Sequence, residues 1–373
     1  MRRVGMWWRA AAVLSVVATA AACGSTGGAA SSADTKAPAA TTSASASSQP
    51  QEFEKVVLGT VSNLLHTSAY VAVQKGFFAE NGLNVELKLF GSGSDASKAL
   101  KAGTVQFNTI STTSIASARN AGLNVKLVVS EMNDATTANY TGPLGIVARA
   151  DSGIKAGDAA SLKGKKVAVL TGSTTQQYFD LYLAANGMTE KDVQLVNLPV
   201  GDHPVSLKQG DVDAAVSWEP YVAQAIRELG SEAVVVSRGD PLMGYILGVA
   251  ATDDYIGADK GVLEKFAAAI AQADWVARTN PEEAADAAAN YLPAIDKADI
   301  LDAIKNHLKF DPRLSPCVTK AFEDTSAAMF KSGKIDKDIP AADMIAPKYI
   351  EAVEKAHPDW FADLPPLDAT CTK

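Results

Sequence analysis

"KVVLGTVSNLLHTSAYVAVQKGFFAENGLNVELKLF", residues 55–90, changes its apolar period twice. Lys55 to Val61 reads as a strand. Thr67 to Gly82 carries helical spacing and ends at a glycine, and Asn84 to Phe90 reads as a second strand. A strand, a helix closed by glycine and another strand form the unit of a parallel sheet covered by helices. The chain repeats it. Ser94 to Gly103 and Thr113 to Gly122 read as glycine-ended helices, and Val105 to Ile110 and Val125 to Ser130 as strands.

A second series opens at "LGIVAR" (Leu144 to Arg149) and continues through the strands "KVAVL", "VQLVNL", "DAAVSW" and "EAVVVS". One more apolar strand, "MGYILGVAA" (Met243 to Ala251), precedes a helical, alanine-rich stretch from Lys260 onward. About 320 residues exceed what one core usually supports, so an α/β chain of two lobes is expected. Residues 54–143 begin lobe I, 144–241 build lobe II, and 242–373 supply a return strand and helices to lobe I. Two crossings make a hinge.

The N-terminus predicts export. Arg2, Arg3 and Arg9 precede an apolar run too short for a comfortable membrane span, followed by small residues up to Cys23. Residues 1–22 read as a signal peptide whose end is similar to the lipobox of bacterial lipoproteins, with Ala20 where a leucine is usual. That resemblance implies lipidation of Cys23; plain secretion is the alternative. Residues 23–53 read as a flexible tether, whose stretch 24–51 carries only two charges, Asp34 and Lys36, and no large apolar residue. Losing the three leader arginines takes the formal charge from −8 to −11, which argues against nucleic acid as a partner. Cys317 and Cys371 are the remaining cysteines, and in an oxidising compartment a disulfide between them is expected, with two free thiols as the alternative. The four histidines, His66, His203, His307 and His357, have no metal-site spacing.

Ligands of open α/β sheets sit outside the carboxyl ends of the strands. Seven segments follow the strands there, and five of them carry serine or threonine: "SNLLHT", "GSGSD" with Ser92, "STTS", "EMNDATT" with Asn133, and "GSTT". "GDHP" and "WEP" complete the set. In "LTGSTTQQYF" (Leu170 to Phe179), Ser173 and Thr174 each fit a capping box with Gln176 and Gln177. The same hydroxyls at a helix start could instead cradle an anion. Both readings stay open.

The stretch from His66 to Ser111 resembles the nitrate/sulfonate/taurine family of ABC-transporter substrate-binding proteins. The resemblance rests on Tyr70-Val71-Ala72, Lys75-Gly76-Phe77-Phe78 and Gly82-Leu83-Asn84-Val85-Glu86, then on "LKGKKVAVLTGSTTQQYFDLYL" and "LKQGDVDAAVSWEPY". It implies a two-lobed periplasmic-binding-protein fold of type II, closing as a monomer on a small anionic solute. A membrane permease and an ATPase are the implied partners, and no cofactor is expected. By position, His66, Thr67, Ser111, Thr112, Ser173, Thr174, Thr175, Trp218 and Glu219 fall in the ligand loops. Glu219 faces solvent in a first helical turn on one reading and meets a ligand ammonium on another. No arginine stands in the loops; Arg149 and Arg238 lie near the crossings.

"HTSAYVA" is also similar to the thiamine-pyrimidine branch, which includes pyrimidine-synthase enzymes. Those need a lysine for pyridoxal and a cysteine-rich iron motif, and "SNLLHT" has no lysine. An extracytoplasmic transport receptor, not an enzyme, is the expectation, with a pyrimidine or aromatic solute as alternative ligand.

Overall fold

A computed structural model of the chain describes residues 53–90, 93–133, 142–239, 242–367 and 371. Cys23, the tether up to Glu52 and Ser92 lie outside the described residues.

Among the described residues, ten strands form two sheets of five. They are β1 (Glu54–Val61), β2 (Leu83–Phe90), β3 (Phe107–Ser111), β4 (Val125–Asn133), β5 (Leu144–Arg149), β6 (Lys166–Val169), β7 (Gln194–Asn197), β8 (Ala214–Trp218), β9 (Ala233–Arg238) and β10 (Ile246–Thr252). The first sheet runs β2-β1-β3-β10-β4 and the second β7-β6-β8-β5-β9. Burial follows position. β3 is buried at every residue and β4 nearly so, as strands covered on both faces must be, whereas the edge strand β2 alternates.

The sheets are mixed rather than parallel throughout. β10 runs antiparallel to both β3 and β4, and β5 antiparallel to both β8 and β9. Each of these strands follows a crossing. Leu144, which opens β5, pairs with Trp218 at the end of β8; Ile246, which opens β10, pairs with Asn133 at the end of β4. A chain that arrives at the carboxyl edge of a sheet has to run back through it. Both β5 and β10 therefore start at the edge where the candidate loops stand. β10 threads between its neighbours with little room: a Cβ on Gly248 would lie 2.2 Å from the Val129 carbonyl oxygen.

The helix expected from Thr67 to Gly82 is two helices, Thr67–Lys75 and Phe77–Glu80. Gly76 between them takes φ 78°, a left-handed conformation that ends the first helix as a C-cap. Seven further α-helices follow β10 among the described residues, with Val262–Thr279 and Pro281–Ala289 packed against Thr67–Lys75. A disulfide joins Cys317, in the first turn of Pro316–Lys331, to Cys371, 54 residues on.

Candidate functional site

The loop after β1 is pinned from within. Asn63 Oδ1 accepts the Leu65 amide at 2.9 Å and caps the turn Leu64–His66. The Tyr70 hydroxyl, one helix turn on, accepts the Asn63 amide at 3.1 Å. His66 points inward: Nδ1 lies 3.0 Å from Glu131 Oε2, at the end of β4, and Nε2 lies 3.2 Å from Thr109 Oγ1 on β3. Thr109 in turn donates to Thr60 Oγ1 at 3.0 Å. Both ring nitrogens of His66 thus hold protein partners.

Thr67 Oγ1 donates to the Leu64 carbonyl at 2.5 Å, and Thr112 Oγ1 to the Ile246 carbonyl at 3.2 Å. Both hydroxyls secure backbone. Asn133 Nδ2 donates to the Arg313 carbonyl at 3.0 Å, turning toward the C-terminal segment.

The "GSTT" hydroxyls divide. Ser173 is the N-cap of the helix Thr174–Ala185, donating to the Leu170 carbonyl at 2.7 Å and accepting the Thr175 amide at 3.2 Å. Thr175 Oγ1 accepts the Leu170 amide at 3.2 Å. Those two complete the strand-to-helix turn. Thr174 instead reaches the other lobe, donating to Ser111 Oγ at 3.3 Å. Further along the same two helices, Thr113 donates to Gln177 Oε1. The structure thus brings Ser111 and Thr174 together across the cleft and leaves His66, Thr67, Thr112, Asn133, Ser173 and Thr175 bound to their own lobes. From sequence Gln177 reads only as the far end of a capping box and Thr113 only as part of "STTS"; neither is named as a site residue.

Trp218 ends β8, and its indole Nε1 is buried without a hydrogen-bond partner among the described residues. A buried N–H left unpaired costs the full desolvation of the donor, so it is a ready contact for an acceptor. Glu219 next to it is fully buried, which excludes the solvent-facing reading. Its Oε1 accepts from Arg238, at the end of β9, and Oε2 from the Ala223 amide at 3.2 Å. Burial pushes the Glu219 carboxyl up, and Arg238 with that amide opposes it. Arg238 was read as a residue near a crossing; it is the countercharge of Glu219. Glu131, which the sequence places in the segment after a strand ending at Ser130, lies inside β4, which runs on to Asn133.

Among the described residues of this ring, Glu131 faces His66 and Glu219 faces Arg238, and the groups that meet between the lobes, Ser111 and Thr174, are neutral hydroxyls. Such an arrangement suits a small anion or polar solute held by hydroxyl and indole hydrogens.

Residues 63–284 match the family model described as NMT1/THI5 like. A candidate aliphatic sulfonates-binding protein of Bacillus subtilis (strain 168) is 24% identical over 319 residues, 84% of this chain and 92% of its own. The crystal structure of the periplasmic aliphatic sulphonate binding protein SsuA from Escherichia coli superposes with a TM-score of 0.67 at 19% identity, over 79% of this chain and 92% of that one. The periplasmic nitrate-binding protein NrtA from Synechocystis PCC 6803 gives 0.68 at 15% identity, over 82% and 89%. The two sheets are those of the two-lobe periplasmic-binding-protein fold. With more than half of its length matched, the chain belongs to the NMT1/THI5-like family.

Proposed function

We propose that the protein is an extracytoplasmic solute-binding lipoprotein of an ABC importer, anchored through Cys23. It captures a small anionic organic solute of the aliphatic sulfonate or taurine class, or nitrate, between its lobes and delivers it to a permease and its ATPase. One observation carries this reading: the strand-end hydroxyls of Ser111 and Thr174 meet across the two sheets at 3.3 Å, beside strands whose buried charges are already paired. Neutral donors on both lobes hold an anion without the desolvation cost of a second buried charge, and closure brings them onto one solute.

The similarity of "HTSAYVA" (His66 to Ala72) to the thiamine-pyrimidine branch supports a second reading in which the solute is aromatic, such as a thiamine-precursor pyrimidine. Thermal melting against alkanesulfonates, taurine, nitrate, bicarbonate and pyrimidines separates the two. A ligand at about a hundred times its Kd adds about 2.7 kcal/mol of stability. Shifts with sulfonates or nitrate support the first reading, and shifts with pyrimidines alone replace it by the second. A response to none of them but to a sugar or peptide overturns both. Fractionation tests the anchor: wild type belongs in the membrane fraction and Cys23→Ser outside it, whereas a wholly soluble wild-type chain removes the lipid.

A further inference from the structure

Two ion pairs tie the lobes together outside the cleft. On one flank, Lys334, just beyond the first-lobe helix Pro316–Lys331, pairs with Asp180 on the second-lobe helix Thr174–Ala185 and lies 3.7 Å from Glu190. Its own segment is fixed to the first lobe, because the Asp336 amide donates to Asn120 Oδ1 at 2.9 Å. On the other flank, Arg227 of the second-lobe helix Tyr221–Leu229 pairs with Asp299 of Lys297–Asn306. The latter helix packs on Pro281–Ala289, part of the first lobe.

The two second-lobe helices occupy opposite faces of the second sheet. Tyr178 and Phe179 of one join the main core, whereas Val222 and Ala225 of the other join a separate apolar cluster with Val147, Ala168 and Ala215. The pairs therefore straddle the cleft, one on each side. The donors and acceptors are neither buried nor free in water, with side-chain exposures of 33% and 26% for Lys334 and Asp180 and 46% and 18% for Arg227 and Asp299.

We propose that Lys334 and Arg227 are positioning residues that set solute affinity from outside the cleft by holding the lobes against each other. This rests on the two-lobe capture reading above. A pair formed only when the lobes meet stabilises that state and no other, so its strength enters the closed-to-open ratio directly. Observed affinity is the intrinsic affinity scaled by the fraction of molecules in the competent state. Half-exposed pairs are modest: each is expected to shift the ratio about two- to fivefold, and less as salt screens them.

Small-angle scattering of the protein without added solute tests the device independently of what the cleft binds. Lys334→Ala with Arg227→Ala should raise the radius of gyration at low salt, and molar salt should raise that of wild type toward the same value. Reversing one pair, Arg227→Asp with Asp299→Arg, should restore the compact form, which a merely structural role for either residue would not do. Calorimetry with ethanesulfonate then reads the second consequence: weaker affinity in the double alanine variant, recovered in the reversed pair, with a smaller difference at high salt. Equal radii for wild type and double variant at all salt concentrations overturn the proposal. If radii respond while ethanesulfonate binds neither protein, the latch stands and the sulfonate reading falls.

Discussion

At the cleft edge of the first lobe the buried acids Glu131 and Asp274 meet neutral or titratable partners; at that of the second, the buried Glu219 meets a guanidinium. Glu131 faces His66 through one oxygen, and Asp274 accepts from Ser68 through one; the second oxygen of each has no partner among the described residues. Burial pushes the Asp274 carboxyl well above the ordinary carboxylate range, which favours the neutral form over a charge that would need a cation. Glu219 is as deeply buried, yet both its oxygens are engaged, one by Arg238. Both solutions keep free charge away from the cleft mouth. They differ in what breaks them.

The largest effect falls on the second lobe. Arg238→Ala leaves Glu219 buried without a countercharge and should cost about 3–5 kcal/mol in urea denaturation at neutral pH. Asp274→Asn, by contrast, puts a neutral isostere where burial already disfavours the charged carboxylate, and should leave stability nearly unchanged or raise it. Similar losses in the two variants would erase the contrast.

The next effect is a pH slope of opposite sign in the two lobes. His203 is buried in the second lobe, its ring nitrogens 2.9 Å from Ser217 Oγ and 3.2 Å from the Leu198 carbonyl. Burial lowers its pKa to about 4, against an ordinary value of 6.5. The folded state thus resists protonation. The stability that follows is present above pH 6.5 and lost as pH falls toward 4, about 3 kcal/mol in all. Asp274 works the other way: its share is full below the ordinary carboxylate range and declines as pH rises toward its displaced pKa. Denaturation of wild type and His203→Gln across this window should show the acid-side slope reduced in the variant. An unchanged slope would remove His203 from the account.

Much of the fold was legible in the sequence because apolar runs and closing glycines mark strands and helices directly. Strand direction was not. β5 and β10 have the same apolar pattern as their neighbours, and only the point where a crossing enters the sheet makes them antiparallel. The capping box before Gln176 correctly marked Ser173 as a cap, but adjacent hydroxyls on one turn point to different lobes, so Ser173 and Thr175 secure the turn and Thr174 reaches Ser111. Arg238 and Glu219 are 19 residues apart, and nothing local links them. Pairings of that kind belong to tertiary packing, beyond what spacing encodes.

The central claim is that the neutral donors joining the two lobes hold an anion, and calorimetry of adjacent threonines tests it most directly. Thr174→Ala, titrated with the tightest-binding alkanesulfonate of the screen, should lose a charge-assisted hydrogen bond worth about 1.5–3 kcal/mol, roughly ten- to a hundredfold in Kd. Thr175→Ala should instead cost about 0.5–2 kcal/mol of folding stability, as loss of a helix-start hydroxyl does, and leave affinity intact. Unchanged affinity in Thr174→Ala, with only stability lost in both variants, would contradict the claim and reduce the whole segment to a helix cap.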